Sequence, residues 1–227
     1  MKKKLEFSYI FTGGEAPCSH DFFCHGKNFS PVTSIIAADS GLETCDNYAL
    51  KPSCIIGDMD SLNKKELLQK FDDVPLEKWS YDKDYSDTEL ALQKISAKNT
   101  LSVLIGAYGG RIDHFLGVYS LFSSKKPPRI WFCGNQVLYL IDGKFLKKIS
   151  FENILDSDVV SVFPVQPNLF SKIEDSGLQW PLKKVSWHKN SISLSNRKKK
   201  NTNLISFFYK RGKFVVIVPL HAKPIFY

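Results

Sequence analysis

Carboxylates recur at four places in the first half of this chain, each beside glycine or serine. Asp39 lies in Ala38-Asp39-Ser40-Gly41, and Asp58 and Asp60 in Gly57-Asp58-Met59-Asp60-Ser61. Asp82, Asp84 and Asp87 share Asp82-Lys83-Asp84-Tyr85-Ser86-Asp87, and Asp113 belongs to Gly109-Gly110-Arg111-Ile112-Asp113-His114. Two carboxylates two residues apart repel each other unless a cation neutralises them. Hard oxygen ligands suit Mg²⁺, which favours octahedral oxygen coordination and is commonly shared with substrate phosphates. Gly13-Gly14 and Gly109-Gly110 let the backbone approach a bulky anion and offer it N–H groups. Arg111 adds a planar fork for phosphate oxygens. Each acid also has a plainer reading. Asp or Ser after a strand caps the next helix, Ser40-x-x-Glu43 and Ser86-x-x-Glu89 are capping boxes, and a first-turn Asp87 suits the helix dipole. Their joint occurrence selects a metal–phosphate site. No G-x-x-x-x-G-K-[ST] loop, protein-kinase signature or complete dinucleotide fingerprint accompanies it. The residues alone thus reach Mg²⁺-dependent handling of a phosphorylated substrate and leave the acceptor unnamed.

The elements that must position these groups follow from apolar runs and turn signals. Strands are expected over Leu5–Phe11, Thr33–Ala38, Ser53–Ile56, Leu76–Ser80, Leu101–Ile105 and Arg129–Phe132. Helices are expected over Gly41–Leu50, Asn63–Phe71 (with Asn63-x-x-Glu66 as a capping box), Asp87–Lys98 and Ile112–Ser123. This alternation predicts an α/β domain with a parallel sheet covered by helices on both faces. The ends of such strands share one edge, where ligands bind, so Asp39, Asp58, Asp60, Arg111 and Asp113 should converge there. From about Gly143 the helical period fades. Short segments at Val159–Phe163, Leu182–Trp187, Ser191–Ser195, Leu204–Tyr209 and Lys213–Val218 predict a smaller all-β, sandwich-like domain. The boundary is expected at Asp142-Gly143.

Composition narrows the classes further. The 227 residues are 43% hydrophobic and 13% aromatic, enough for a folded core. No stretch approaches the roughly 20 apolar residues of a membrane helix. The basic Met1–Lys4 precedes too short an apolar run for a signal peptide, so a cytoplasmic protein is expected. Five cysteines, an odd and irregularly spaced set, argue against a disulfide framework. Cys18, His20, Cys24 and His25 lack the second ligand pair that zinc sites use, and read as a loop and helix with buried thiols. The net charge of +8 admits a polyanion-binding protein, but its clusters at Arg197–Lys200 and Lys210–Lys213 lack interleaved aromatics.

In this order and over nearly the whole chain, the motifs resemble those of the thiamine pyrophosphokinase family. Ser161-Val162-Phe163-Pro164, Gly177-Leu178-Gln179-Trp180-Pro181-Leu182 and Ser193-Leu194-Ser195-Asn196 extend the resemblance into the second domain. The resemblance implies transfer of pyrophosphate from ATP to thiamine, with Mg²⁺. It implies a homodimer that binds thiamine at its interface. Residues 1–142 would form the ATP-binding catalytic domain, and 143–227 the β-rich thiamine-binding and dimerisation domain. Position by position, Asp58, Asp60 and Asp87 would hold the metal. Gly13, Gly14, Asp39, Ser40, Gly109, Gly110 and Arg111 would face ATP and its phosphates, with Asp84 in support. Asp113 would orient the acceptor or the metal shell. Trp180 would lie against the thiamine rings, whose cationic thiazolium an indole face attracts. Ser193 would hydrogen-bond the pyrimidine, with Ser195 and Asn196 completing the set. Ser40 stands where the family has glycine, and Ser86 where it has threonine. Rival readings are a pyrophosphokinase for another alcohol, such as a hydroxymethylpterin, and a non-enzymatic polyanion binder.

Overall fold

Uninterrupted apolar runs form parallel strands in the computed structural model of the protein, which describes residues 5–80, 82, 84–95, 99–189 and 191–227. In chain order the elements are β1 (Glu6–Phe11), α1 (Ser19–Gly26), β2 (Val32–Ala38), α2 (Gly41–Asn47), β3 (Cys54–Gly57), α3 (Leu67–Lys70), β4 (Leu76–Lys78), α4 (Asp87–Lys94), β5 (Thr100–Ile105) and α5 (Ile112–Ser120). There follow β6 (Ile130–Cys133), β7 (Gln136–Ile141), β8 (Lys148–Glu152), β9 (Val160–Val165), β10 (Lys172–Ser176), β11 (Ser193–Asn196), β12 (Ile205–Arg211), β13 (Lys213–Pro219) and β14 (Lys223–Phe226). The chain divides into two units. One holds the residues up to Phe22 and Phe29–Gly134, the other Phe23–Asn28 and Asn135–Tyr227.

In the first unit, β4, β3, β2, β1, β5 and β6 lie side by side, and every pairing is parallel. Strands covered on both faces read as continuous hydrophobic runs, and all of β5 is buried. The register aligns the strand ends. Phe11 pairs with Ala37 and with Ile105, and Ala38 with Ile56. The residues after β1, β2, β3 and β5 therefore reach a common edge. The core is rich in aromatics, with Phe22 in edge contact with Phe11, Tyr9 and Phe132.

The second unit has two antiparallel arrays, β11-β9-β13-β7 and β10-β12-β8-β14. The rings of Tyr139 on β7 and Phe151 on β8 lie 5.0 Å apart, so the arrays meet through their apolar faces. Here also lies a buried polar pair. The two ring nitrogens of His25 lie 2.7 Å from the Leu220 carbonyl and 2.6 Å from the Tyr139 hydroxyl. Burial pushes its imidazole down from 6.5 to about 4, against the opposing effect of the Leu220 bond. Neutral His25 donates from Nδ1 to Leu220 O and accepts from Tyr139 at Nε2.

The α/β architecture with a β-rich second part is as expected, but several elements differ. The helix over Asn63–Phe71 shrinks to Leu67–Lys70, because the Asn63 amide donates to Glu43 Oε1 at 2.7 Å and Asn63 caps nothing. Ser40 makes no side-chain cap to α2, whereas Ser86 and Glu89 form the full capping box of α4. The helix expected to Lys98 ends at Lys94, as Ile95 turns to extended backbone; residues 96–98 lie outside the described set. So do Met1–Lys4 and Lys83. Leu182–Trp187 is not a strand but two short 3₁₀ turns, at Leu182–Lys184 and Trp187–Lys189. Pro181 donates no N–H to a ladder, and Asp175 Oδ1 takes the Leu182 amide at 2.6 Å. β7, β8, β10 and β14 are additional strands. The thiols of Cys18 and Cys24 are exposed, not buried, while Cys45 and Cys133 are buried, and none of the five is in a disulfide. Among the described residues no helix is long and apolar enough to cross a membrane.

Candidate active site

The strand-end edge of the first unit gathers three of the predicted carboxylates. Asp39 follows β2, Asp58 follows β3, and Asp87 opens α4. One carboxylate oxygen from each lies within 4.8 Å of the other two. The local backbone explains the convergence. Asp39 takes a left-handed φ of 49°, with its amide on Ile56 O at 2.8 Å, so the chain turns sharply off β2 toward β3. Met59 is also left-handed, at φ 63°, and lies buried between Asp58 and Asp60. Non-glycine residues in this region store strain, and such strain clusters at ligand sites. Gly57 has φ 139°, and a Cβ there would come within 3.1 Å of Asp87 Oδ1, so only glycine lets Asp87 approach.

The electrostatics mark the place. Asp39 Oδ1 is buried with no hydrogen-bond partner. Burial raises the Asp39 pKa first, and the charges of Asp87 and Asp60 raise it further, against hydrogen bonds from Ser61 and the Ser40 amide. A buried carboxylate oxygen left without a donor is costly unless a cation meets it. Three hard oxygens at this spacing fit a Mg²⁺ ion that keeps part of its water shell.

Asp60 stands outside this group. It is exposed, takes a hydrogen bond from the Ser61 hydroxyl at 2.9 Å, and gives its amide to Asp58 Oδ1 at 3.1 Å. Asp82 and Asp84 are exposed on the segment before α4. Arg111 and Asp113 form a two-pronged pair, Nε to Oδ1 at 3.1 Å and Nη2 to Oδ2 at 2.5 Å. The Arg111 guanidinium holds the Asp113 carboxyl down at about 2. Gly109 and Gly110, just before them, both have positive φ. His114 is exposed in the first turn of α5.

Beside the carboxylates opens a cleft of about 510 Å³ lined by Gly13, Gly14, Ser40, Glu43, Thr44 and Tyr48, among others. At Gly14, φ 89°, an added Cβ would meet the Tyr108 carbonyl at 2.8 Å. The Ser40 hydroxyl lies against Gly13 in the wall of this cleft; a Cβ on Gly13 would lie 2.5 Å from it. Sequence reasoning missed Glu43, Thr44 and Asn47, although with Ser40 they follow helical spacing along one face of α2. Glu43 also anchors the acidic loop: its Oε1 accepts the amides of Asn63, at 2.7 Å, and Lys64, at 3.2 Å.

In the second unit, Trp180 is 57% exposed. Its backbone is fixed by Asn196, which is buried. Asn196 Oδ1 accepts the Trp180 amide at 3.1 Å, and Nδ2 donates to the Trp180 carbonyl at 2.7 Å and to Ser193 Oγ at 3.2 Å. Ser195 is left-handed, φ 55°, and its amide donates to Ser161 Oγ at 3.1 Å. Asn196 thus positions Trp180 and Ser193, and Ser161 fixes the turn, a role the sequence did not reveal.

A parallel sheet with three carboxylates gathered at its strand ends makes this a protein of the α/β class with a site whose spacing could hold a metal ion. Residues 27–132 match the model of the thiamin pyrophosphokinase catalytic domain. A search of curated proteins by sequence finds no match. Among solved structures, the thiamin pyrophosphokinase of Geobacillus thermodenitrificans superposes with TM-score 0.69 at 22% identity, covering 94% of this chain and 97% of its own. Thiamine pyrophosphokinase from Bacillus subtilis gives TM-score 0.70 at 18% identity, covering 94% and 99%. The Candida albicans thiamin pyrophosphokinase gives 0.65 at 13% identity, covering 95% and 89%. At these identities the likeness is one of fold, and it extends through both units.

Proposed function

We propose that the protein is a thiamine pyrophosphokinase that uses ATP as donor and Mg²⁺ as cofactor. The observation that carries this reading is the meeting of Asp39, Asp58 and Asp87 at the strand ends, with Asp39 Oδ1 buried and unpartnered. Those three side chains would hold the ion, which when bound supplies neutralisation of the phosphate charge. Residues 1–142 would form the ATP-binding catalytic domain, with the cleft at Gly13, Gly14 and Ser40 for the nucleotide. The hydroxyethyl oxygen of thiamine attacks the β-phosphorus in line. The new O–P bond replaces the bond to the bridging oxygen, AMP leaves with that electron pair, and the hydroxyl proton passes to a carboxylate or water. Catalysis rests on positioning and charge, as in phosphoryl transfer generally. Asp113 holds Arg111 ready for phosphate oxygens. Asp60 and Asp84 add negative charge around the site, and Gly109-Gly110 bring amides to it.

The β-rich second part would bind thiamine through Trp180, Ser193 and Ser195, with Asn196 positioning Trp180 and Ser193, in a homodimer with thiamine at the interface. The exposure of Trp180 supports that reading, because a solvent-facing indole attracts a cationic ring. Five cysteines with no disulfide among them accord with a reducing, cytoplasmic setting.

The test is incubation of the purified protein with ATP, Mg²⁺ and thiamine, with EDTA as control. Equal yields of AMP and thiamine diphosphate, abolished by EDTA, are expected. AMP without thiamine diphosphate would reassign the acceptor; no AMP at all would sink the reading.

A further inference from the structure

The second unit contains a groove of about 540 Å³ that the proposed reaction does not use. Its apolar wall comprises Leu169, Phe170, Ile173, Leu182, Val185 and Trp187. Its cations are Lys172, Lys183, Lys210 and Arg211. The volume falls within the range of about 300–1,000 Å³ typical of small-molecule sites.

Two features make this a built groove. The first is its rigid lip. Leu169 and Phe170 are 76% and 62% exposed, yet the turn that presents them is tied by three local bonds. Asn168 Oδ1 accepts the Phe170 amide at 2.9 Å, the Asn168 amide donates to Ser171 Oγ at 2.9 Å, and the Ser171 amide donates to Asn168 O at 3.0 Å. Large apolar side chains held outward in this way lower the entropic cost of receiving a partner. The second is charge. Glu174 bridges Lys172 and Lys210 at 3.2 and 3.0 Å, and Asp175 takes the Leu182 amide. Four cations against these two carboxylates leave two positive charges in excess. Arg211 sits 4.6 Å from the centre of the Phe170 ring, a cation–π contact that sets its fork of donors beside the apolar wall.

We infer that this groove binds a small amphipathic carboxylate, its apolar body against Leu169, Phe170 and Val185, above the buried Leu182 and Trp187, and its carboxylate on Arg211 and Lys183. Thiamine is a poor fit, because its cationic ring would be repelled. A neutral apolar molecule would leave the cations without a counterpart. The inference does not depend on the reaction proposed above, since none of the groove residues serves it.

The test uses three ligands with one eight-carbon body and different charge: sodium octanoate, octan-1-ol and octylammonium chloride. Each is titrated into the full chain labelled with ¹⁵N and ¹³C. Octanoate should shift the Trp187 indole and the Ile173, Leu182 and Val185 methyl signals saturably. Octanol should bind at least about tenfold more weakly and octylammonium not at all, given the strength of charge-assisted Arg–carboxylate pairing. The exposed-site double variant Lys183→Gln with Arg211→Gln should weaken octanoate at least fivefold and leave octanol unchanged. Equal affinities for octanoate and octanol would overturn the inference. So would shifts confined to Trp180, the absence of saturable binding, or groove signals that broaden with protein concentration alone, which would mean that a second copy covers the groove.

Discussion

The carboxylates of the first unit and the buried polar groups of the second obey opposite rules. At the strand ends, Asp39 Oδ1 is buried without a donor, and the loops that carry Asp39 and Asp58 run through left-handed residues. In the second unit, Asn196 binds the Trp180 backbone in both directions, and both ring nitrogens of His25 are partnered. A polar group satisfied by its own chain helps to specify the fold. A group left strained and unsatisfied is stable only with something else present. The contrast separates residues that serve a ligand from residues that serve the scaffold, and it can be broken by substitution.

The largest effect is expected from Asp87→Asn. Turnover should fall about a hundred- to thousandfold, the scale of removing one charge-stabilising group. The thermal midpoint should hold or rise, because one of three crowded carboxylates is removed. Unfolding of this variant at ordinary temperature would erase the contrast. Asp60→Asn, outside the three-oxygen group, should reduce turnover less, and parallel assays of AMP release would rank the two.

Next comes a pH effect on the scaffold side. His25 titrates near 4 when folded and near 6.5 when unfolded, so the unfolded chain takes the proton first as pH falls. Its contribution to stability is complete above 6.5 and declines as pH drops toward 4. The decline amounts to about 3 kcal/mol over that window, since each tenfold difference in proton affinity between the two states is worth about 1.4 kcal/mol. Urea midpoints at pH 7 and pH 4.5 should differ for the native chain by clearly more than for His25→Gln. Equal differences would remove His25 from the account.

Asn196→Ala should cost about 2 kcal/mol, because it leaves the Trp180 amide and carbonyl without partners. It should also raise KM for thiamine. Trp180→Ala gives the smallest change in stability, within about 0.5 kcal/mol for an exposed side chain, while KM for thiamine rises about tenfold through the lost cation–π contact. If Trp180→Ala unfolds the protein, the indole belongs to the scaffold after all.

Much of the acidic edge was legible because strand periodicity and strand ends are local properties of the chain. Asp39, Asp58 and Asp87 follow from where the apolar runs at Thr33–Ala38 and Ser53–Ile56 stop and where Ser86 caps a helix. What was not legible depended on distant partners. Glu43 reads as half of a capping box with Ser40, but its carboxylate is claimed by amides twenty residues on. That same bond keeps Asn63 from starting a helix. Leu182–Trp187 has a strand-like composition, yet Pro181 and the Asp175 carboxylate turn it into 3₁₀ turns. Asn196 gave no local sign that it would fix a tryptophan sixteen residues earlier.

The Glu43 tether has a kinetic consequence. It ties the far end of the Asp58–Asp60 loop to α2, while β3 ties the near end. The Asn63 amide sits on an exposed residue, but in hydrogen exchange it should report the opening of α2 rather than the motion of a free loop. A loop tied at both ends opens less readily than one tied only through β3.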